Sequence, residues 1–445
     1  PTRISERLTM KILIIDKDSC GLGMALKFQE AHHQVKLFIS PASKSCKAGL
    51  GLVPKVEAWQ PHAKWADMIV MLDNSYAMED LERLIRQGYP VFGSNLEGAT
   101  WELDRKKGQK ILQSAGVQTI PGQSFTRYED AEAYVLGRPK RYVSKPNGDM
   151  DKKLSYVAKN AADLIYMLRS WKKQGKIQSE FIIQDFLPGI EMGVGGWFGP
   201  DGWSKALCEN WEFKKLCNDD LGVATGEMGT VLRYVEKSAL AEEVLLPLTP
   251  YLHAINYVGY CDVNCIISEE GIPFPLEFTM RFGWPLANIQ MAVHRGDPAQ
   301  WMLDKIEGRD TLRVSDEIAL GVVMVLPDFP YSSYTARVLE GIPIYGITKA
   351  SARHISLSSV MAGKAPAMEG GRVVEKALPV SAGDYLCVVT TSGDTVSEAR
   401  DSTYKIVKSL EVPNSIQYRT DIGCRLEKQL PMLHDYGFAT GMKYK

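Results

Sequence analysis

Residues 260–283 read YCDVNCIISEEGIPFPLEFTMRFG, and this stretch predicts two antiparallel strands joined by a tight turn at 269–271. Alternate residues of a strand share a face. One face should therefore carry Asp262 and Asn264 from the first strand and Glu277, Thr279 and Arg281 from the second. Carboxylate, amide and hydroxyl oxygens suit Mg²⁺, which also binds substrate phosphates. We predict a magnesium site on this hairpin; the alternative is an ordinary half-exposed hairpin with its polar residues outside.

The composition of the chain excludes several classes of protein. With 445 residues the chain is too long for one simple core, so two to four domains are expected. A net charge of −1 provides no field for nucleic acid or an anionic membrane, and we expect neither as a partner. Eight cysteines without a CxxC pair indicate neither a disulfide framework nor a zinc site, which fits the cytoplasm. No apolar run is long enough to cross a membrane.

The front of the chain has a βαβ pattern. MKILIIDKD at 10–18 is typical of a buried parallel strand, and a helical stretch at 24–31 leads to a second strand, QVKLFIS. The GLG turn between them lacks the GxGxxG spacing, so a plain tight turn is favoured over a dinucleotide site. We predict a Rossmann-like α/β domain over residues 10–98. Residues 1–9 have no apolar signal-peptide core and are interpreted as a tag remnant or disordered lead-in.

Three further segments are predicted after this domain. Residues 99–317 should form a second domain, with a small α+β lid at about 120–180. Residues 318–430 should form a C-terminal α+β domain, and 431–445 a tail. Helices are predicted from Gly98 to about Ala115, over 239–255, over 286–307 and over 395–407. In the lid, the strand RYVSK at 141–145 precedes a polar loop at 147–153 that could close over phosphates.

A turn in the middle of the chain suggests nucleotide binding. The apolar strand Phe181–Ile183 leads into Gln184 and Asp185, and the chain then turns at Pro188 and Gly189 and continues to Glu191. Such a turn offers backbone groups to a purine edge and a carboxylate to ribose hydroxyls. The alternative is a β-turn with an exposed glutamate.

Together these motifs resemble the ATP-grasp ligases, and within them the glycinamide ribonucleotide synthetase (phosphoribosylamine–glycine ligase) family. LEFTMRFGWP at 276–285 resembles that family's EFNARFGDPE. Glu212–Lys215 and Thr225–Gly229 resemble its DHKR and NTGGMG segments. GGRVV at 370–374, SGDTVSEARDSTYKIVKSL at 392–410 and YRTDIG at 418–423 resemble its last domain. The resemblance, from about residue 10 to 427, implies an ATP-grasp fold with a Rossmann-like N-terminal domain and a C-terminal α+β domain.

The resemblance also implies roles for individual residues. ATP would contact Arg105, Lys145, Lys153, the backbone of Asp185, Phe186 and Leu187, and the carboxylate of Glu191. Mg²⁺ or Mn²⁺ would be held by Asp262, Glu277 and Thr279. The substrate side would include Lys214, Glu227, Gly229 and Arg281, with Arg281 and Lys145 as the catalytic cations.

Several residues depart from the family pattern. Thr279 replaces a metal-binding Asn, and GWPLANIQ replaces GDPEtQ. Glu227 stands where the family has glycine, and Gln184 replaces an acid. The front of the chain lacks the GGREHA and GPE-PL segments of the phosphoribosylamine site.

The reaction that the resemblance implies is ATP-dependent joining of a small-molecule carboxylate, such as an amino acid, to an amine through an acyl phosphate. Three hypotheses follow: a diverged ligase with other substrates, such as those of specialised nucleotide or phage metabolism; the genuine glycine ligase of purine biosynthesis; and an ATP-binding protein without ligase activity. A Rossmann oxidoreductase is disfavoured by the incomplete glycine motif. We expect a monomer or homodimer.

Overall fold

The computed structural model describes residues 9–146, 155–175, 180–331, 339–413 and 416–445. It begins with a parallel five-stranded sheet in the order β3-β2-β1-β4-β5. The strands are β1 Lys11–Asp16, β2 Gln34–Ile39, β3 Lys55–Val56, β4 Met68–Met71 and β5 Val91–Phe92. Because strand residues alternate in direction, each face of β1 buries its own apolar set. Helix α1 (Leu22–Glu30) packs with Ile12 and Ile14, and helix α2 (Met78–Arg86) packs with Leu13 and Ile15.

The helix predicted from Gly98 to Ala115 is in fact two helices. Helix α3 spans Leu96–Leu103 and α4 spans Arg105–Ser114. Asp104 between them leaves the helical conformation, with φ −105° and ψ 93°. Its carboxylate accepts from the N–H groups of Lys106 and Lys107 at 3.1 and 3.2 Å, so it caps α4. The break places Arg105 in the first turn of a new helix.

The lid is a separate α+β layer. Its four-stranded sheet has the order β6-β9-β7-β8. The elements are β6 Gly122–Phe125, α5 Tyr128–Gly137, β7 Tyr142–Pro146, β8 Tyr156–Val157, α6 Ala161–Lys173 and β9 Phe181–Asp185. The lid has its own small core, in which Tyr142, Leu164 and Phe181 are buried together. The predicted lysine at position 153 lies outside the described residues.

A nine-stranded sheet forms the centre of the molecule. Eight of its strands follow the order β15-β14-β10-β12-β13-β16-β21-β18, and β11 pairs with β10. The strands are β10 Gly189–Gly199, β11 Gly202–Trp203, β12 Leu207–Glu212, β13 Gly229–Val235, β14 Gly259–Ser268, β15 Pro273–Thr279, β16 Ile318–Val325, β18 Ile355–Leu357 and β21 Tyr385–Gly393. The sheet crosses the boundary predicted at 318, because β13 pairs with β16 from Gly229–Val322 to Leu232–Ala319. The second and third predicted domains therefore share one sheet.

Two predicted helices in the rest of the chain are interrupted. The stretch 239–255 is broken at Pro247 and Pro250, and 286–307 is broken around Pro298. The helices are α7 Ala239–Val244, α8 Thr249–Ala254, α9 Leu286–Val293, α10 Gln300–Ile306, α11 Val396–Val407 and α12 Leu426–Asp435. Among the described residues, no helix has both the length and the apolar character needed to cross a membrane.

Two C-terminal features were not predicted. A three-stranded sheet, β17-β20-β19, contains a long hairpin that turns at Gly370 and Gly371, where φ is +57° and +78°. Its strands are β17 Glu340–Pro343, β19 Val360–Glu369 and β20 Arg372–Ala382. The predicted tail is also packed: the N–H groups of Val396 and Ser397 donate to the carbonyls of Lys443 and Tyr444 at 3.0 and 2.8 Å. The last residues thus cap the start of α11.

Candidate functional site

A cleft of about 490 Å³ opens beside the β14–β15 hairpin. The hairpin has the predicted form: Asp262 pairs with Thr279, and Asn264 pairs with Glu277. Paired residues of antiparallel strands point to the same side, so the predicted polar face exists. Facing segments that complete the cleft come from β1, β4, α3, α4, the β12–β13 loop and the start of β21.

The ammonium of Lys214 is the centre of charge in this cleft. Its Nζ lies 2.8 Å from Glu191 Oε1, 3.0 Å from Glu212 Oε2 and 3.0 Å from Glu277 Oε1. Burial alone would lower the pKa of Lys214, but the three carboxylates outweigh it and raise the pKa well above its usual value. We call these four residues the Lys214 cage. The place where the carboxylates converge is therefore one that holds a cation.

Glu277 is ionised by the same contacts. The nearby ammonium of Lys214 lowers its pKa well below the usual value, against the opposing effect of burial, and Arg105 lowers it further. The Arg105 guanidinium lies 3.0 Å from Glu277 Oε2 and donates to the carbonyl of Pro146 at 3.0 Å. Arg105, the first residue of α4, thus points into the cleft. The next two residues, Lys106 and Lys107, pair with Glu180 and Glu97.

Lys145 in β7 extends this group of cations into the lid. Burial lowers its pKa from 10.5 to about 8, and the nearby cations Arg105 and Lys214 act in the same direction. The carboxylates of Glu277 and Glu191 partly offset this effect. Three cations and three carboxylates therefore interact beside the cleft, although Lys145 and Glu191 do not line it themselves. This arrangement can surround a polyphosphate.

Asp262 is placed differently from the prediction. Its side chain is only 1% exposed and does not line the cleft. Asn210 Nδ2 donates to its Oδ2 at 2.8 Å, and Tyr260 donates to the same oxygen at 3.2 Å. Burial raises the pKa of Asp262 to about 7. Asp262 therefore shares the predicted face with Glu277, but its side chain is hydrogen-bonded to Asn210 of β12 and does not line the cleft, so its role as a metal ligand stays a prediction.

Two glycines of β10 explain why the Asp262 side chain can reach Asn210. Gly193 and Gly195 lie between β12 and β14 in the sheet. A Cβ at Gly193 would stand 2.5 Å from Asn210 Oδ1, and one at Gly195 would stand 2.6 Å from Asp262 Oδ2. Without these side chains, polar groups of β12 and β14 meet across β10. Asn264 uses the same gap, since its Nδ2 donates to Glu212 Oε2 at 2.5 Å.

Arg281 follows β15 and lines the cleft. Its guanidinium pairs with Glu102 Oε1 at 3.2 Å and donates to the carbonyl of Phe282 at 2.8 Å. The other oxygen of Glu102 accepts from Asn74 at 2.8 Å and from the N–H of Met280 at 2.7 Å. Glu102 therefore fixes the strand end and the guanidinium together. Sequence reasoning missed it because nothing near it in the chain marks it as a partner of Arg281.

The remaining predicted metal and substrate residues divide into two groups. Thr279 and Glu227 line the cleft. Glu227 accepts from Thr230, and burial together with nearby Glu212 raises its pKa well above the usual value. Gly229 does not line the cleft: a Cβ there would lie 2.6 Å from the carbonyl oxygen of Gly321. This glycine is required by the close packing of β13 on β16, and its predicted substrate role stays a prediction.

Only part of the backbone of the predicted adenine segment is free to hydrogen-bond a purine. The N–H of Asp185 donates to the carbonyl of Pro121 at 3.1 Å, and the N–H of Phe186 donates to Arg141 at 3.2 Å. These two N–H groups are used inside the lid sheet, so a purine would meet carbonyl groups there and the backbone of Leu187. Glu191, a member of the Lys214 cage, keeps 31% of its side chain exposed.

The loop between β12 and β13, which carries Lys214 and Glu227, is held by a distant segment. Arg419 is 2% exposed and donates to Asp220 Oδ1 at 2.8 Å and to the carbonyl of Lys215 at 3.1 Å. Asp421 accepts from the same guanidinium at 2.8 and 2.7 Å. Arg425 contacts Asp220 at 3.3 Å and the carbonyl of Glu212. The YRTDIG segment noted in the sequence thus positions the cleft loop.

Replacing Arg419 by methionine should lower the free energy of unfolding by about 2–3 kcal/mol, because Asp220 and Asp421 would lose a buried partner. Both aspartates keep some exposure, at 49% and 21%, which limits the loss. Urea unfolding would measure it, with exposed Arg372→Met as the control. Equal stability of the two variants would contradict a clamping role.

Oxygen ligands for a divalent cation are present, but they do not form a complete cage. Among the described ranges, no group of three His, Cys, Asp or Glu side chains is arranged to hold a metal ion. Glu277 and Thr279 face the cleft, and Lys214 already marks the place where a positive charge is stabilised. These residues fit Mg²⁺, which accepts one or two carboxylates and completes its shell with phosphates and water.

Comparisons with known proteins agree with this geometry. Residues 104–287 match the family model of the phosphoribosylglycinamide synthetase ATP-grasp (A) domain. A phosphoribosylamine–glycine ligase of Ralstonia nicotianae is 27% identical over 353 residues, covering 76% of this chain and 79% of the relative. One of Streptococcus suis is 24% identical over 439 residues, covering 94% and 100%.

Solved structures share the fold. The phosphoribosylamine–glycine ligase of Thermotoga maritima has a TM-score of 0.70 at 18% identity and covers 93% of this chain and 100% of its own. An ADP complex of N5-carboxyaminoimidazole ribonucleotide synthetase has a TM-score of 0.60 at 12% identity, covering 89% and 96%. The fold expectation is confirmed: the architecture is that of the ATP-grasp proteins.

Proposed function

We propose that the chain joins a carboxylate to an amine at the expense of ATP, because residues 104–287 match the ATP-grasp domain of the phosphoribosylglycinamide synthetases and the relatives named above are phosphoribosylamine–glycine ligases. The observation that carries the proposal is the Lys214 cage, with Arg105 3.0 Å from Glu277 and Lys145 beside it. Such a concentration of fixed charge suits phosphoryl transfer, in which positioning and charge stabilisation do most of the work.

The reaction has two steps. An oxygen of the substrate carboxylate attacks the γ-phosphorus of ATP, the bond to the β-phosphate oxygen breaks, and ADP leaves. The amine nitrogen then attacks the carbonyl carbon of the acyl phosphate, the carbon–oxygen bond to phosphate breaks, and the nitrogen loses a proton.

Named residues would serve these steps. Lys145, Arg105 and Lys214 orient the phosphates and offset their charge, and Arg281, held by Glu102, faces the transferred group. Mg²⁺, when bound by Glu277 and Thr279, would neutralise phosphate charge.

The test is ADP release that requires Mg²⁺, an amino acid and an amine together. Glycine with phosphoribosylamine is the first pair to measure, because the names of the curated relatives specify it. Stoichiometric ADP, phosphate and amide would support the ligase. Tight ATP binding without turnover for any pair of twenty amino acids and several amines would favour the non-catalytic alternative. ADP release from ATP alone would indicate a simple ATPase.

A second candidate is a ligase with the same chemistry and other substrates. Thr279 and Trp284 both line the cleft, in places where the resemblance implies an asparagine and an aspartate. Turnover with an amino acid other than glycine, or with another amine, would favour this candidate.

Lys145 gives the proposal a pH signature. Its ammonium is lost as the pH rises through about 8, since its pKa is lowered to that value. If this charge binds ATP, kcat/KM for ATP should fall above pH 8, by about tenfold per pH unit at the limit. Lys145→Arg, which stays charged, should remove the fall whatever its absolute rate. The exposed Lys173→Arg should keep it; an identical fall in both variants would contradict the assignment.

A further inference from the structure

The cleft has a second end, opposite the Lys214 cage, whose charge is the reverse. It is lined by Asp16 and Asp18 from the loop after β1, by Asp73 after β4 and by Glu102 of α3. We call these four residues the acidic wall. We propose that the acidic wall binds the amine substrate, and that this amine is an organic cation without a phosphate group. This inference rests on the proposed ligase function and specifies its substrate class.

Asp16 supplies the first argument. It is 2% exposed, and its Oδ2 accepts from the N–H of Gly21 at 2.7 Å, directly before α1. Its Oδ1 accepts from the N–H of Asp18 at 3.0 Å. The positive end of a helix usually attracts an anion, and here the protein's own carboxylate occupies that place. Burial raises the pKa of Asp16 to about 6, so the group stays negative at neutral pH. A phosphate approaching α1 would meet a like charge.

The cations near the acidic wall are already engaged. Lys17 Nζ donates to Ser75 Oγ at 2.8 Å. Arg281 pairs with Glu102 at 3.2 Å. The other lysine and arginine side chains lining the described part of the cleft, Arg105 and Lys214, belong to the opposite end. Four carboxylates against two paired cations leave this end negative, which attracts an ammonium and repels a phosphate.

Aromatic side chains complete the same end. Trp284, Phe329 and Tyr385 line it, and the rings of Phe329 and Tyr385 meet edge to face at 5.9 Å. The hydroxyl of Tyr385 is buried and has no hydrogen-bond partner within the described ranges. Aromatic faces and a phenol oxygen both interact favourably with an alkylammonium group. The aromatic rings and the Tyr385 hydroxyl therefore offer groups with which a substrate ammonium could interact.

The test uses a matched pair of amines, ethanolamine and O-phosphoethanolamine, which differ by one phosphate. With Mg·ATP and a mixture of the twenty amino acids, kcat/KM measured by ADP release should be at least about tenfold higher for ethanolamine. Asp18→Lys reverses one exposed charge of the wall and should shift this ratio about tenfold toward the phosphorylated amine. Exposed Glu375→Lys is the matched control and should leave the ratio unchanged.

Binding is measured as well, so the inference remains testable without turnover. Isothermal titration with a non-hydrolysable ATP analogue already bound should detect ethanolamine and no O-phosphoethanolamine. Preference of the unmodified protein for the phosphorylated amine, in either assay, would overturn the acidic-wall inference while leaving a ligase in place. A ratio unaffected by Asp18→Lys would also overturn it. Failure of every amine to support ADP release would instead count against the proposed function.

Discussion

Replacing Glu277 by glutamine should reduce ADP release that depends on an amino acid and an amine by about 10²- to 10³-fold. Glutamine keeps the volume of the side chain and removes its charge. Glu277 is held ionised by Lys214 and Arg105. Its Oε1 lies 3.0 Å from the Lys214 ammonium, and its Oε2 lies 3.0 Å from the Arg105 guanidinium. The neutral amide would therefore weaken a cation site and release two positive side chains from their arrangement.

The change should leave the fold intact, because Glu277 stands at the cleft with its side chain 34% exposed. Circular dichroism and the urea midpoint would verify this point. Glu270→Gln in the exposed turn of the same hairpin is the matched control and should retain full activity. Full activity of Glu277→Gln with bound Mg²⁺ unaffected would remove Glu277 from the site.

The sequence predicted the hairpin well because strand alternation is a local property. The four polar positions of the β14–β15 hairpin share a face as expected. Alternation predicts the face on which a side chain lies, but not which distant side chains it then contacts. Asp262 is bonded to Asn210 instead of lining the cleft, because two glycines, more than sixty residues earlier, leave room for this contact. Nothing in the hairpin itself could indicate that.

Contacts between distant segments were the part of the structure that the sequence did not predict. The pairing of β13 with β16, which joins two predicted domains, unites strands that each look complete in the sequence. Arg419 and the Lys215 carbonyl are 204 residues apart, and Glu102 and Arg281 are 179 apart by their numbers. Helix breaks at Asp104 and Pro298 depend on a local cap and a proline, so a closer reading of those positions could have found them.

Replacing Lys214 by methionine should have a large effect on both activity and stability. Three carboxylates within 3.0 Å of its ammonium would lose their common partner, so Glu191, Glu212 and Glu277 would repel one another. ADP release should fall by about 10²-fold or more. The free energy of unfolding at pH 8 should fall by about 2 kcal/mol, less than for a fully buried pair, because Lys214 is 28% exposed.

The pH dependence of that loss separates the charge effect from simple packing. In the unmodified protein, the lowered pKa of Glu277 contributes stability that is present above its unfolded pKa and is lost as the pH falls through the folded value. In Lys214→Met the crowded carboxylates take up protons more readily, so the deficit measured by urea unfolding should be largest at pH 8 and smallest near pH 5. Lys214→Arg, which keeps the charge, should recover most of the stability. Exposed Lys364→Met should show no deficit at either pH. A deficit of the same size at both pH values would mean that the lysine stem, and not its charge, stabilises the cleft.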